Sequence, residues 1–323
     1  MNGIFTGFLR ALRGGLLAGA LAVGPALVAQ GPSVILVIGA GGNDEYASVF
    51  AGWADDWKEA TDSAGVKLTV VGLAAEETDS AAKLAAALGA QEKETQDPLW
   101  LVLLGHGTAT GGDAKFNLRG DDVPVSQVSD WLKPFARPVI VVCGFSTSGA
   151  WMKPLAARDR LVVTATRSGA EANFARFGGY LGKAIADPEA DLDQDGQTSL
   201  LEAYIAASRQ TAEWYAQEGR LATEHALLDD NADGAGTPAD WFKGVRAIKK
   251  PREGQADGAR AHQIHLVPSK EERALSATAR ARRDELERDL AKLRERKGEM
   301  KEEAYLAELE ALFRELAAVY RGN

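Results

Sequence analysis

From residue 33 to residue 190 the chain alternates two patterns. Short uninterrupted apolar runs, rich in β-branched residues, occur in SVILVIG (33–39), LTVVGL (68–73), DPLWLVLLGHG (97–107), PVIVVCG (138–144) and RLVVTAT (160–166). Runs of this length without polar alternation predict strands covered on both faces. Between them, apolar residues recur at helical spacing. Tyr46, Val49, Phe50, Trp53, Trp57 and Ala60 do so ahead of a terminating SAG, followed by SAAKLAAALGA (80–90), PVSQVSDWL (124–132) and FARFGGYLGKAIA (174–186). The alternation predicts an α/β fold, a doubly wound, mostly parallel sheet with helices on both faces. Ligands of such sheets sit beyond the carboxyl ends of the strands. GAGGND (39–44), after the first strand, lacks the third glycine of a dinucleotide fingerprint and the lysine of a P-loop, so it reads as a tight turn with Asn43 or Asp44 capping the next helix.

Beyond Asp187-Pro188 the pattern changes. Two acidic loops bracket a helix, LLEAYIAASRQTAEWYAQEG (200–219); KKPREGQADGARA (249–261) reads as a linker, and AHQIHLVPS (261–269) as one last strand. From Lys270 the chain is charged and helical. Leu286, Leu290 and Leu293, then Leu306, Leu309, Phe313, Leu316 and Tyr320, recur at alternating three and four spacing, a coiled-coil seam divided by Gly298 into an antiparallel hairpin. The expected organisation is 30–190 as the α/β domain, 191–268 as the acidic loops and last strand packed on the same domain, and 269–323 as a helical extension open to a protein partner or to self-association.

The first residues differ from the rest. Arg10 and Arg13 precede LLAGALAVGPALVA (16–29), a short apolar run interrupted by Gly24 and Pro25. This predicts a signal peptide over 1–29, export to the periplasm or outside the cell, and no stable membrane span after cleavage. The net charge of −9, without a basic cluster outside the mixed-sign C-terminal segment, argues against nucleic acid as a partner. A single cysteine, Cys143, excludes an internal disulfide.

Two strand ends carry candidate chemistry. LLGHGTATGG places His106 between two glycines, which leave room for a substrate backbone, and the Gly107 amide is an oxyanion donor candidate. VVCGFSTSGAW (141–151) ends the next strand in Ser146, Thr147 and Ser148. Strand–GHG, then strand–small residues–Ser-Gly, then RLVVTATRSGAEANFARFG resembles the caspase-type cysteine peptidases of clan CD over about residues 33–190, with the legumain (C13) branch and its bacterial relatives the nearest in pattern. The resemblance implies peptide-bond hydrolysis on a peptide or protein substrate, with His106 as base. It makes 116–122 the loop after the histidine strand and 164–174 a wall of the specificity pocket.

The departure is the nucleophile. Aligning Ser148-Gly149 with the family's Ser-Gly puts Ser146 where the cysteine belongs. Cys143 is three residues earlier, roughly 10 Å back along an extended chain and on the other sheet face, and reads as a small buried hydrophobe. Two readings stay open, a serine variant of the peptidase and a degenerate peptidase that keeps its cleft for binding peptides. Arg119 and Arg167 are candidate cations for an acidic substrate side chain, or solvated charges.

DLDQDGQTSLLE (191–202) has calcium-loop spacing. Asp191, Asp193 and Asp195 fall at positions 1, 3 and 5, Gly196 at 6, Gln197 at 7 through its carbonyl, Ser199 at 9 and Glu202 at 12, the EF-hand pattern of hard oxygen ligands around Ca²⁺. Thr198, at position 8, replaces the usual aliphatic residue. A second loop repeats the spacing with Asp229, Asn231, Asp233, Gly234 and, at position 12, Asp240. His225 precedes it as a supporting group, while His262 and His265 read as surface or turn residues. Bound Ca²⁺ would stabilise an exported protein that has no disulfide.

Overall fold

The structure, a computed structural model, describes residues 31–321; the predicted signal peptide lies outside them. Six strands form the main sheet: β1 (Ser33–Ile38), β2 (Lys67–Val71), β3 (Leu99–Gly105), β7 (Val139–Phe145), β8 (Arg160–Thr164) and β9 (Leu227–Asp229). Their order is β2-β1-β3-β7-β8-β9, parallel throughout except for β9, which runs antiparallel to β8 at one edge. A separate three-stranded antiparallel sheet is built from β4 (Gly107–Thr110), β5 (Asp113–Phe116) and β6 (Val123–Pro124). The helices are α1 (Asp44–Ala64), α2 (Ser80–Gly89), α3 (Val125–Leu132), α4 (Met152–Leu155), α5 (Phe177–Ala184), α6 (Leu200–Gln217), α7 (Lys270–Ala274), α8 (Ala277–Glu295) and α9 (Glu302–Arg321).

The continuous apolar strands follow from the two layers that cover them. Val34, Leu36, Ile38, Trp100, Val102, Leu104, Ile140 and Val142 face one side with Phe50 and Trp57 of α1, Phe177 and Leu181 of α5 and Tyr204 of α6. Their neighbours Ile35, Val37, Leu101, Leu103, Val141 and Cys143 face the other side with Leu84, Val128 and Trp151. Every residue of β1, β3 and β7 is therefore buried, and alternation disappears from the sequence. Asn43 caps α1 by accepting from the Tyr46 amide at 2.9 Å, and Gly65 ends it at φ 67°.

Two expectations are corrected, and residues 107–116 add a hairpin the sequence reading did not place: Thr110 pairs with Asp113 around Gly111 and Gly112, whose positive φ suits a two-residue turn. Residues 261–269 form no strand. Ala261–Gln263 is a short 3-10 turn, and His265 makes a single antiparallel bridge to Ser199; the last strand of the main sheet is instead β9, followed by a separate antiparallel pair, β10 (Phe242–Lys243) and β11 (Arg246–Ala247). The hairpin of α8 and α9 forms, with Arg282 bonded to Glu315 and Arg296 3.8 Å from Glu308, but its seam is rotated. The stripe of α9 turned inward is Tyr305, Leu309, Leu312, Leu316 and Val319, while Leu306, Phe313 and Tyr320 are left half exposed. Among the described residues no helix is long and apolar enough to cross a membrane.

Candidate functional site: a strand-end crevice and two acidic loops

The carboxyl ends of β1, β3, β7 and β8 bring together Gly41, His106, Ser146 and Thr166, as the parallel order requires. His106 follows β3 directly and turns its ring into an aromatic group. Centroid distances are 4.8 Å to Tyr46, 5.1 Å to Phe50 and 5.9 Å to Phe174, all edge-on. Phe174 in turn stacks on Trp53 at 5.6 Å. Burial lowers the His106 pKa, partly opposed by a hydrogen bond to the Gly41 backbone, a shift that favours the neutral ring.

Ser146 follows β7 and is only 2% exposed. Its Oγ accepts from the Gly107 amide at 3.1 Å and donates to the Gly107 carbonyl at 3.2 Å. Among the described residues no hydrogen bond joins it to His106. The Gly107 amide expected to face an oxyanion is thus spent on Ser146. Gly107 does not make room for a substrate either, since a Cβ there would lie 2.5 Å from the Phe145 ring and from the Ser146 carbonyl oxygen. Cys143 lies within β7, fully buried, and burial pushes its thiol far above the usual range.

The loop after Ser146 is fixed from below. Ser148 Oγ accepts from the Ala165 and Thr166 amides at 3.0 and 3.2 Å. Thr147 holds φ 63°, buries its hydroxyl without a partner, and donates its amide to the Glu171 carbonyl at 2.8 Å. Sequence reasoning overlooked the side chain of that glutamate. Glu171 Oε1 lies 2.6 Å from His225 Nδ1, and Glu171 accepts from the Arg167 amide as well as pairing with the Arg167 guanidinium. His225 therefore serves the strand-end loop and not the second acidic loop. Arg119 is likewise committed, donating to the Gly72 and Ala75 carbonyls.

In the first acidic loop, Asp191 accepts from the amides of Gln194, Asp195 and Gly196, with Gln194 and Gly196 at positive φ. Glu202 Oε1 accepts from the Leu192 and Asp193 amides, and Oε2 from the Ser199 amide and hydroxyl. Oxygens of Asp191, Asp193 and Asp195 lie within 4.8 Å of one another. Gln197 uses its side chain on Asp195 and on the Ser269 amide, which leaves its carbonyl as the ligand candidate. Thr198 donates to the Asp187 carbonyl, which explains a polar residue at that position. His262 is not a free surface group: its Nε2 is 2.9 Å from Asp193 Oδ2, a hydrogen bond that holds the Asp193 carboxyl below its usual range.

The second loop has the same backbone. Asp229 accepts from the Ala232 and Gly234 amides, and both of those residues have positive φ. The residue expected to close it lies outside the loop. Asp240 is exposed and pairs with Lys249 at 2.5 Å, because Pro238 and the short turn Ala239–Trp241 carry it away. Asp257 takes the place instead. Its Oδ1 accepts from the Asp230 and Asn231 amides at 2.9 and 3.2 Å, and its Oδ2 from the Thr237 hydroxyl at 2.7 Å. Burial, with Asp230 and Asp229 beside it, pushes the Asp257 carboxyl up to about 7.

No family model matches the chain, and no curated protein matches it. Similar solved structures include a structural-genomics target protein from Geobacter sulfurreducens, 13% identical over 62% of this chain and 92% of that one, with a TM-score of 0.42. The Drosophila initiator caspase Dronc is 14% identical over 65% of this chain and 82% of its own, with a TM-score of 0.43. Raptor of Chaetomium thermophilum is 12% identical, TM-score 0.34, and this chain spans only 17% of its length.

Proposed function

We propose that the chain is an exported peptide-binding module on a caspase-type sheet, with its hydrolytic dyad disengaged and its acidic loops held by Ca²⁺. The observation that carries the first part is the closure of Ser146 Oγ on both backbone groups of Gly107. A serine nucleophile depends on a general base within hydrogen-bond reach. Here the hydroxyl proton is directed at a carbonyl, and the imidazole of His106 is packed against Tyr46, Phe50 and Phe174. What remains at the strand ends is a partly exposed aromatic wall of Tyr46, Trp53 and Phe174 around a neutral imidazole. Aromatic surface of this kind offers large contact area to a side chain of a bound peptide.

The donor sets fit calcium. Asp191, Asp193, Asp195, the Gln197 carbonyl, Ser199 and Glu202 would hold one ion. Asp229, Asn231, Asp233, the Ala235 carbonyl, Thr237 and Asp257 would hold the second. All are hard oxygen donors in the loop order such ions require. Burial raises the carboxyl pKa of Asp195, Asp229 and Asp257, a cost that a divalent cation removes. The ion supplies positive charge, while the chain's own amides orient the carboxylates.

One observation favours hydrolysis as a second reading. Thr147 is a β-branched residue at positive φ with an orphaned hydroxyl, and strain of this sort collects in functional loops. The deciding experiment offers a mixed peptide library to the wild type, Ser146→Ala, Cys143→Ala, His106→Ala and Tyr46→Ala with Ca²⁺ present, and reads both turnover and binding. The expected result is no turnover by the wild type, with binding kept by Ser146→Ala and weakened at least tenfold by Tyr46→Ala. Turnover that vanishes with Ser146→Ala and His106→Ala would make the protein a serine peptidase. Turnover lost only with Cys143→Ala would move the nucleophile into the strand.

A further inference from the structure

Helix α9 carries two apolar stripes and uses one. Tyr305, Leu309, Leu312, Leu316 and Val319 face inward, whereas Leu306, Phe313 and Tyr320, spaced by seven, are 52%, 48% and 47% exposed. Ala317 and the edges of Leu309, Glu310 and Arg314 complete a shallow groove along the outer face. The charges on α9 sort with the two stripes. Glu308 and Glu315, toward α8, are matched by Arg296 and Arg282. Those beside the outer stripe are acidic at the start, Glu303 and Glu310, and basic at the end, Arg314 and Arg321, and of these Glu310 and Arg314 also pair with each other within the helix.

We infer that this outer face pairs with the same face of a second copy, antiparallel and centred on Phe313. An isologous contact requires a surface complementary to itself. Turning α9 end for end about Phe313 lays Leu306 against Tyr320 of the second copy and Phe313 against its counterpart. In that register Glu310 comes within two residues of the other Arg314, and Glu303 within two residues of the other Arg321, an axial offset of about 3 Å in each case. Both oppositely charged pairs close in one register, and the helix dipoles run head to tail. A parallel pairing would set Glu303 on Glu303 and Arg314 on Arg314. A second copy is therefore the occupant the charges select. A contact about 30 Å long buries on the order of 1,000 Å² in total, at the lower limit for a specific interface, as suits a weak, concentration-dependent dimer.

Sedimentation equilibrium of the full chain from about 1 to 200 µM tests this. The average mass should rise from one chain toward two, and Phe313→Glu should remain a monomer at every concentration. Phe313 is half exposed, so circular dichroism of that variant should match the wild type. Glu303→Arg or Arg321→Glu alone should weaken the dimer about tenfold, and the two together, which lie too far apart to pair within one helix, should restore it to within about threefold. Under oxidising conditions Phe313→Cys should crosslink to its own counterpart, because the native Cys143 is buried. A wild type that stays monomeric at 200 µM overturns the inference, as does a dimer that survives Phe313→Glu.

Discussion

Asp191 and Asp229 open their loops in the same way, each accepting the amides at the fourth and sixth positions while those residues take positive φ. The loops part at their closing acids. Glu202 stands in the first turn of α6, three residues after Ser199, and also forms the capping box of that helix. Asp257 comes from a segment 28 residues beyond Asp229, after the strand pair and linker that follow the loop. Both acids accept the same two amides, those at positions 2 and 3. An identical backbone can thus be completed by a local residue or a distant one. The local closure would tie a bound ion to a helix; the distant one would tie it to the fold of residues 230–261.

The largest test withdraws calcium from both loops. With free ion near a hundredfold over the dissociation constant, each filled site adds about 2.7 kcal/mol. Two sites together should raise Tm by roughly 10 °C over a chelator-treated sample. A Tm indifferent to Ca²⁺ would remove both loops from consideration at once. Next come the closing acids. Glu202→Gln should abolish one of two calorimetric binding events and also weaken the cap of α6, lowering stability by about 1–2 kcal/mol even without calcium. Asp257→Asn should abolish the other event and leave α6 unaffected.

The sheet was legible in the sequence because burial on both faces leaves nothing polar in β1, β3 and β7. The turn of the first loop was legible because the residues that shape it, Asp191 to Glu202, are contiguous. Asp257 was not, because a closing ligand supplied through tertiary packing leaves no spacing to read. Its signal was present only as an acid beside a glycine inside a segment that looks like linker. The Gly111-Gly112 hairpin could have been found from the dipeptide alone. The seam of α9 could not, because Leu309 and Leu316 belong equally to the stripe through Tyr305 and to the one through Leu306. Only packing against α8 chooses between them.

Two buried groups, one beside each loop, should also answer pH in opposite directions without calcium. His265, bridged to Ser199 of the first loop, is pulled down to about 3 by burial and by Arg283. Its folded pKa is below the unfolded value, so the stability it contributes is present above pH 6.5 and lost as pH falls toward 3. The loss should reach roughly 2–3 kcal/mol by pH 4, and His265→Gln should flatten it. Asp257 behaves in the reverse sense. Its folded pKa of about 7 is above the unfolded value, so its contribution is complete below about pH 4 and is lost as pH rises to 7. Chelator-treated Asp257→Asn should therefore gain on the wild type by about 2 kcal/mol or more between pH 4 and pH 7. Denaturant titrations of each variant against the wild type across pH 4–8 read the two differences, and differences of the same sign would remove the contrast between His265 and Asp257.

The smallest expected effect is at Asp240, and it separates the two ways of counting the second loop. By position it is the twelfth residue and should act as Glu202 does. By geometry it is an exposed carboxylate whose partner is Lys249, 49% exposed on its side chain. Exposed pairs of this kind contribute at most about 1 kcal/mol and often nothing measurable. Asp240→Asn should therefore leave two calcium-binding events and shift Tm by no more than about 2 °C. If Asp240→Asn removed a binding event while Asp257→Asn did not, the loop would close locally when it binds its ion. The Asp257 bonds to Asp230, Asn231 and Thr237 would then serve only to hold the linker on the domain.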